Sequence, residues 1–177
     1  MNMTINFKNR LHTWLAVGLM FVGAVILTTP AVAATGRNSV VLQEFKPDRF
    51  AQLLRSQNAQ PFVLILWSLD CEFCQASLAT LAQQKRQYPH LRIVTLATEQ
   101  LADPQAAALI KTKLQKLSLT QHAWAFGSAP PEQLRYAIDP QWRGEMPRSY
   151  WFDGHGGVRV QSGVINAEVV AQFIGQR

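Results

Sequence analysis

Residues 62–81 of the chain read FVLILWSLDCEFCQASLATL. The first six of these residues are apolar and lie between Pro61 and Ser68, which is typical of a short strand buried on both faces of a sheet. The segment from Cys71 to about Tyr88 contains no glycine or proline, and its apolar residues recur at the spacing of one helix face. The sequence therefore predicts a central strand followed directly by a helix, with the only two cysteines of the chain at the junction.

The spacing of these two cysteines, Cys71 and Cys74, favours a dithiol/disulfide redox site. The amino end of a helix carries partial positive charge and unpaired N–H groups, which stabilise a thiolate and allow it to attack a disulfide. A second thiol one helical turn further on can then resolve the mixed disulfide. A redox site at the start of this helix is the leading hypothesis for the function of the chain.

Other sites also use a CxxC motif. No metal is predicted, because there is no second CxxC and the histidines show no ligand spacing. A haem attachment site would need a histidine after Cys74, where Gln75 stands. A copper carrier is a further reading, since soft thiolates suit Cu(I), but no His or Met ligand motif accompanies the pair. An inert structural disulfide stays open, although a bridge across so short a loop adds little stability. No other cofactor is expected.

The amino-terminal residues predict export. Lys8 and Arg10 form a positive segment, residues 14–29 are apolar and uncharged, and residues 31–33 supply small side chains for cleavage. We therefore predict a secretion signal at residues 1–33 and a periplasmic or otherwise extracytoplasmic location for the rest. The apolar stretch is shorter than the roughly 20 residues that usually span a bilayer, which favours a removed signal. Membrane anchoring by an uncleaved segment at residues 14–29 is the alternative.

Length and charge place the remaining residues in one domain with no special affinity for polyanions. We expect residues 34–45 to form a lead with an edge strand and residues 46–177 to form the main domain. The formal net charge is +6, and the basic residues are scattered, so nucleic-acid binding is not predicted.

Apolar periodicity and turn residues predict the other elements. Strands are expected at residues 40–45, 92–97, 123–126, 149–152 and 158–162, and helices are expected to begin near Pro47, Pro104, Pro131 and Asn166. The last two strands form a hairpin around the glycine-rich turn at residues 153–157.

Several groups of residues, in this order along the chain, carry a resemblance to a known family. They are Leu66-Trp67, Cys71-Glu72-Phe73-Cys74, Gly144-Glu145-Met146-Pro147, Tyr150-Trp151-Phe152-Asp153, Gly156-Gly157 and Gly163. With the closing helix, this pattern resembles the thioredoxin fold, an α/β fold with a central mixed sheet flanked by helices. It is more closely similar to extracytoplasmic thiol-disulfide oxidoreductases of the TlpA/ResA type.

The resemblance implies roles for individual residues. Cys71 is expected to be the exposed attacking thiol and Cys74 the shielded resolving thiol, joined by a disulfide in the oxidised form. Pro147 is expected to be a cis-proline against the disulfide, with the Met146 backbone pairing with a substrate strand; an ordinary trans proline is the alternative. Gly163 is expected to let the backbone approach the site; a simple turn at the end of a strand is the alternative. Trp67, Glu72 and Phe73 are expected to support the site or to contact substrate.

Two positions depart from many thioredoxins. Asp70 stands directly before Cys71, where tryptophan is common, and Ile65 stands where a buried acid accepts a proton. Proton transfer from Cys74 must then use water or another carboxylate, and Glu72 and Glu99 are the candidates.

The charges around the motif predict the direction of electron transfer. Asp70 and Glu72 disfavour a thiolate at Cys71, and no His or Lys in the motif offsets them, which indicates a reducing disulfide. The expected function is a reductase of disulfides in extracytoplasmic proteins, re-reduced by an upstream membrane or exported electron donor. A disulfide oxidase or isomerase, or a non-catalytic peptide-binding module, are the alternatives. Phe73, Trp151 and Phe152 are candidates for an apolar rim or for the core; the core is preferred for Phe152, and both alternatives stay open for Trp151.

Overall fold

The structure is a computed structural model that describes residues 39–175. The predicted secretion signal or anchor at residues 1–33 lies outside the described residues. Within residues 39–175, no helix combines the length and the apolar character needed to cross a bilayer.

The described residues form a six-stranded sheet with helices between the strands. The strands are β1 (Leu42–Phe45), β2 (Phe62–Trp67), β3 (Arg92–Gln100), β4 (Ala123–Phe126), β5 (Arg148–Phe152) and β6 (Val158–Ser162). The helices are α1 (Phe50–Arg55), α2 (Glu72–Gln87), α3 (Pro104–Lys116), α4 (Pro131–Ile138) and α5 (Ala167–Gly175).

The sheet is mixed, with the order β1-β4-β3-β2-β5-β6. The first four strands in this order are parallel to one another, whereas β5 pairs antiparallel with both β2 and β6. All six residues of β2 are buried, as expected for a strand with sheet neighbours on both edges and helices on both faces. The predicted central mixed sheet with flanking helices is confirmed.

Alternate residues of β2 enter two separate hydrophobic layers. Val63, Ile65 and Trp67 belong to a buried cluster that also contains Cys74 and apolar residues of α2, α3 and α5. Leu64 belongs to a second cluster, which it shares with residues of α1 and α4. Because side chains alternate between the faces of a strand, one run of apolar residues supplies both layers.

Several element boundaries differ from those predicted; β1 begins at Leu42, two residues later, and β5 at Arg148, one residue earlier. The first helix is divided into a 3-10 turn at Pro47–Arg49 and α1, and α2 begins at Glu72 because Cys71 is its N-cap. Strand β3 continues to Gln100, three residues beyond the predicted end, through an irregularity in its pairing with β4. The apolar pattern stops at Ala97, so the sequence gives no sign of this extension, which carries Thr98 and Glu99 beside the loop that precedes Cys71.

Candidate active site

The two cysteines form a disulfide at the amino end of α2, and their environments differ. Their Cα atoms lie 5.1 Å apart. Cys74 is fully buried, whereas Cys71 is partly exposed. The Cys71 Sγ accepts a hydrogen bond of 3.1 Å from the Cys74 N–H, which is one of the free amide groups of the first helical turn. Only Cys71 is therefore accessible to another protein, and its sulfur lies where a thiolate is stabilised.

Two side chains hold the loop that leads into Cys71. The Leu69 N–H donates a hydrogen bond of 2.7 Å to Glu99 Oε1. The Gln75 Nε2 donates to the carbonyl oxygens of Ser68 and Leu69 at 3.0 and 3.3 Å. The other carboxylate oxygen of Glu99 is buried and has no hydrogen-bond partner among the described residues. The carboxylate of Glu99 is thus held against the backbone two residues before Cys71.

A loop that is distant from the cysteines in sequence lies at the same site. The peptide bond between Met146 and Pro147 is cis, and Pro147 is buried. Met146 packs against the buried cluster that contains Trp67 and Cys74, and its Sδ lies 3.9 Å from the hydroxyl of Thr98. The same hydroxyl donates to the Trp67 carbonyl at 3.4 Å. The fold therefore brings the Met146-Pro147 loop to the cysteine-bearing end of β2.

Gly163 contacts this loop through its backbone, but crowding does not explain the glycine. The Gly163 N–H donates a hydrogen bond of 2.9 Å to the Pro147 carbonyl. A Cβ placed on Gly163 would have no atom within 4 Å, so the expectation that a small residue permits a close approach is wrong. The φ of Gly163 is +96°, a conformation that L side chains rarely adopt, and this accounts for the residue.

A set of polar side chains, which we call the Arg148 cluster, surrounds the residue after Pro147. It consists of Arg148, Asp139, Glu145, Tyr150 and Ser162. Arg148 forms ion pairs of 2.7 Å with both Asp139 and Glu145. Its guanidinium also donates to Ser162 Oγ at 2.7 Å and to the Tyr150 hydroxyl at 3.3 Å. The cluster joins the end of α4, the loop before Pro147 and both strands of the hairpin.

The cluster shifts the pKa values of its members. Burial opposes ionisation of Asp139, but hydrogen bonds from Arg148, the Gln141 N–H and Tyr150 outweigh it and hold the pKa of Asp139 below its usual value. Burial also opposes ionisation of Glu145, yet hydrogen bonds to its carboxylate and the nearby Arg148 lower its pKa. Burial lowers the pKa of Arg148, and its hydrogen bonds to Tyr150 and Asp139 more than restore it. All three groups are therefore charged at neutral pH.

The predicted aromatic rim is only partly present. Phe73, inside the motif, is 63% exposed. Trp151 is 1% exposed and packs against Phe173, with ring centroids 5.0 Å apart, so it does not belong to a rim. Phe152 is partly buried and stacks on Phe62 with centroids 4.4 Å apart, in agreement with a core position.

The other predicted site residues lie at the same end of the domain, with different exposure. Trp67 is fully buried, so it can support the site only through packing and does not contact a substrate. Glu72 and Asp70 are both exposed. The structure also adds Gln75, Thr98 and Arg148, to which the sequence assigns no role, because their partners lie in other elements or loops. Within residues 39–175, no group of three or more His, Cys, Asp or Glu side chains could hold a metal ion.

Solved structures with the same fold show what this chain resembles. A secreted disulfide oxidoreductase of Mycobacterium tuberculosis, homologous to E. coli DsbE, gives a TM-score of 0.52 at 18% identity, over 70% of this chain and 86% of that protein. A thioredoxin-family thiol:disulfide interchange protein of Chlorobium tepidum gives 0.53 at 18% identity, over 69% and 82%. A thioredoxin-like protein solved in its oxidised form gives 0.51 at 19% identity, over 66% and 76%.

These similarities establish the fold. At such identities the thioredoxin-like architecture is shared, whereas activity has to be argued from the site itself. No protein-family model and no curated protein matches the sequence. The predicted thioredoxin-like fold is confirmed.

Proposed function

We propose that this protein is an exported thiol-disulfide oxidoreductase that reduces disulfides in extracytoplasmic proteins. The observation that carries the proposal is the unequal burial of the two sulfur atoms at the amino end of α2. Cys71 is accessible and its Sγ accepts a backbone N–H, while Cys74 is fully buried beside it. A pair of this kind can capture a disulfide and then release it.

The reaction proceeds by two thiol-disulfide exchanges. The Cys71 thiolate attacks one sulfur of the client disulfide and forms a mixed disulfide, and the other client sulfur leaves as a thiolate that takes up a proton. The Cys74 thiol then loses its proton and attacks Cys71 Sγ, which expels the second client thiol. The client gains two electrons and two protons, and the Cys71–Cys74 disulfide is left. An upstream dithiol donor must supply two electrons and two protons to restore the reduced form.

The surface around Cys71 is suited to an extended protein segment. The Met146 backbone at the cis-proline loop offers polar groups for pairing with a strand, and the exposed Phe73 ring offers apolar contact. The proposal of export rests on the sequence of residues 1–33, and the secreted protein of similar fold supports it. The closer relationship to oxidoreductases of the TlpA/ResA type is part of the same proposal.

The direction of transfer is proposed from charge. Asp70 and Glu72 are exposed on either side of Cys71, where their negative charge disfavours the thiolate and so stabilises the disulfide relative to the dithiol. We expect a potential closer to about −270 mV than to about −120 mV, values typical of reducing and of strongly oxidising dithiol proteins. Equilibration with dithiothreitol and glutathione buffers measures it.

A charge-removal variant provides the control for this potential. Replacing both acids, by Asp70→Asn and Glu72→Gln, should make the potential more oxidising by up to about 30 mV, since both charges are screened by solvent. A wild-type potential near the oxidising end would contradict the reductase assignment and favour an oxidase or isomerase.

Substrate trapping tests the chemistry itself. In Cys74→Ser the second exchange cannot occur, so mixed disulfides between Cys71 and client proteins should accumulate in the native compartment. The matched control is Cys71→Ser, which should trap nothing even though Cys74 remains, because Cys74 is buried. Equal recovery of partners with both variants, without a covalent link, would identify the disulfide as structural and the domain as a peptide-binding module.

A further inference from the structure

A cavity lies at the end of the sheet opposite to the disulfide. It has a volume of about 440 Å³, within the range of roughly 300–1,000 Å³ that is usual for small-molecule sites. Its walls come from the carboxyl end of α2, the first residues of β3 and the loop before β4. It is separated from the disulfide by the length of β2, about 20 Å for a strand of this size. A ligand in this cavity therefore cannot touch the cysteines.

The charged groups that line this cavity are all basic. Lys85 and His90 come from the end of α2 and the loop after it, Arg92 from the start of β3, and His122 from the residue before β4. No carboxylate lines the cavity, and none of these four side chains forms an ion pair within residues 39–175. The remaining polar groups include the hydroxyls of Ser118 and Thr120, which can donate hydrogen bonds.

The basic groups lower one another's pKa values, and no carboxylate in the lining of the cavity offsets this effect. Burial, together with the Arg92 guanidinium, lowers the pKa of Lys85. Burial lowers the pKa of His122 as well, and both Arg92 and Lys85 lower it further. Lys85, Arg92 and His122 line the same cavity, so the positively charged forms of their side chains repel one another. An anion bound among them would relieve this repulsion.

Backbone carbonyl groups hold the Lys85 ammonium group in place, and the backbone of His122 has an uncommon conformation. The Lys85 Nζ donates to the carbonyl oxygens of Pro89 and Leu91 at 2.7 and 2.6 Å, which leaves a third N–H for a ligand. His122 has a φ of +53°, an uncommon conformation for a residue with a side chain, and its carbonyl accepts the Thr95 N–H at 3.1 Å. Strained backbone of this kind occurs at ligand sites, and no helix end explains it at His122.

We propose that this cavity binds a phosphate group, carried either by a soluble phosphate compound or by a lipid headgroup. The residues that line the cavity carry guanidinium, ammonium, imidazole and hydroxyl donors, and the cavity has room for the phosphate and for the group that carries it. Arg92 and Lys85 bind the anion at any physiological pH, and His122 adds to the binding when it is protonated. The proposal is independent of the redox function, because the two sites share no residue.

Histidine resonances in the full chain provide a direct test. Inorganic phosphate, compared with chloride at equal ionic strength, should shift the His122 ring resonances in a saturable manner and raise the pKa of His122. In Arg92→Gln the affinity should fall roughly tenfold or more, because a charge-assisted hydrogen bond is lost. Lys111→Gln removes the same charge from an exposed position of α3 and should leave the affinity unchanged.

A second variant and a second probe complete the test. His122→Asn tolerates the left-handed backbone and should reduce the pH dependence of phosphate binding between pH 5 and 8 to the part that His90 and the ionisation of phosphate itself contribute. Dihexanoyl phosphatidylglycerol, used as a monomer, separates the two sources: binding at least as tight as that of phosphate identifies a lipid headgroup, and weaker binding identifies a soluble phosphate. The same response to phosphate and chloride, or an unchanged affinity in Arg92→Gln, would overturn the proposal.

Discussion

Burial distinguishes the two sulfur atoms of the CxxC motif. Cys71 is the N-cap of α2 and can meet another protein, whereas Cys74 faces the core with the apolar side of the same helix. Burial disfavours the thiolate form of a cysteine, so in the proposed reaction the resolution of a mixed disulfide depends on a nearby base.

We predict that Glu99 is this base and that Glu72 is not. Glu99 is held by the Leu69 N–H close to the start of the motif, and its second oxygen is buried without a partner among the described residues. Glu99→Gln keeps a hydrogen-bond acceptor for Leu69 but cannot take up a proton. The resolution step should slow by about a hundredfold or more, as is usual when a general base is lost.

Stopped-flow measurement of client release against pH checks this prediction. The wild-type rate should exceed the Glu99→Gln rate by about a hundredfold near neutral pH, and the two pH profiles should differ in shape. Glu72→Gln is the matched control, since Glu72 is exposed on the first turn of α2, and it should leave the resolution rate within about threefold. An unchanged profile in Glu99→Gln would assign proton transfer to water.

At the scale of elements, the Arg148 cluster determines how the hairpin presents the loop before it. Arg148 opens β5, and its partners come from the end of α4, the preceding loop and the end of β6. The Trp142 Nε1 adds a hydrogen bond of 2.9 Å to the Glu145 carbonyl, next to Met146. These contacts restrain the backbone on both sides of the Met146-Pro147 bond. A substrate strand would pair with the backbone in this restrained conformation.

We predict that Arg148→Met lowers the stability of the protein and raises its KM for protein substrates. The variant keeps most of the side-chain volume but leaves Asp139 and Glu145 without their cation, so unfolding should require about 1–3 kcal/mol less free energy. Because the loop is then less restrained, KM for a protein disulfide should rise, while the reaction of Cys71 with a small thiol reagent should stay the same.

Arg135→Met provides the comparison for this prediction. Arg135 pairs at 3.0 Å with Glu132, whose side chain is 76% exposed, so the loss of this pair should change the stability little. Urea unfolding and steady-state kinetics on both variants measure these effects. Equal effects of the two substitutions would show that the Arg148 cluster is an ordinary surface ion-pair group.

At the scale of the whole molecule, the mixed sheet separates two sites. The cysteines lie beyond the carboxyl ends of β2 and β3, where ligands and catalytic groups commonly lie in α/β proteins. The basic cavity lies at the amino ends of the same strands. Helices α2, α3 and α5 cover one face and α1 and α4 the other, so both ends of the sheet remain open for these two sites.

Two acids of the Arg148 cluster, Asp139 and Glu145, contribute to the pH dependence of global stability. Their pKa values are lowered in the folded protein, whereas in the unfolded chain they lie at about 3.9 for Asp and 4.3 for Glu. The stability that they contribute is therefore fully present above these unfolded values and is lost as the pH falls through the lower folded values. Urea midpoints should thus decrease as the pH is lowered from about 5 towards 3.

Arg148→Met tests this assignment, because it removes the cation that lowers both pKa values. The variant should be less stable at pH 7, and its stability should fall less steeply in acid, so that the two curves converge at low pH. If the curves stay parallel down to pH 3, the acid sensitivity comes from carboxylates elsewhere in the protein.

Local sequence patterns were sufficient for the fold and for the two cysteines. A strand buried on both faces is a continuous apolar run, a helix has a period of 3.6 residues, and the CxxC stands at their junction. Each of these signals is contained in a few consecutive residues, so the sequence by itself determined the α/β class, the element order and the redox motif. The family resemblance then pointed to Met146 and Pro147.

Only the tertiary structure decided which residues from different elements meet at the site. Glu99 contacts Leu69 because β3 runs beyond its apolar segment, and Pro147 meets Gly163 because of the hairpin register. Trp151 and Phe152, adjacent in sequence, pack on opposite faces of the sheet, Trp151 with α5 and Phe152 with Phe62. Strand register and helix packing set these contacts, and both depend on the burial of side chains far apart in the chain, which no local pattern encodes.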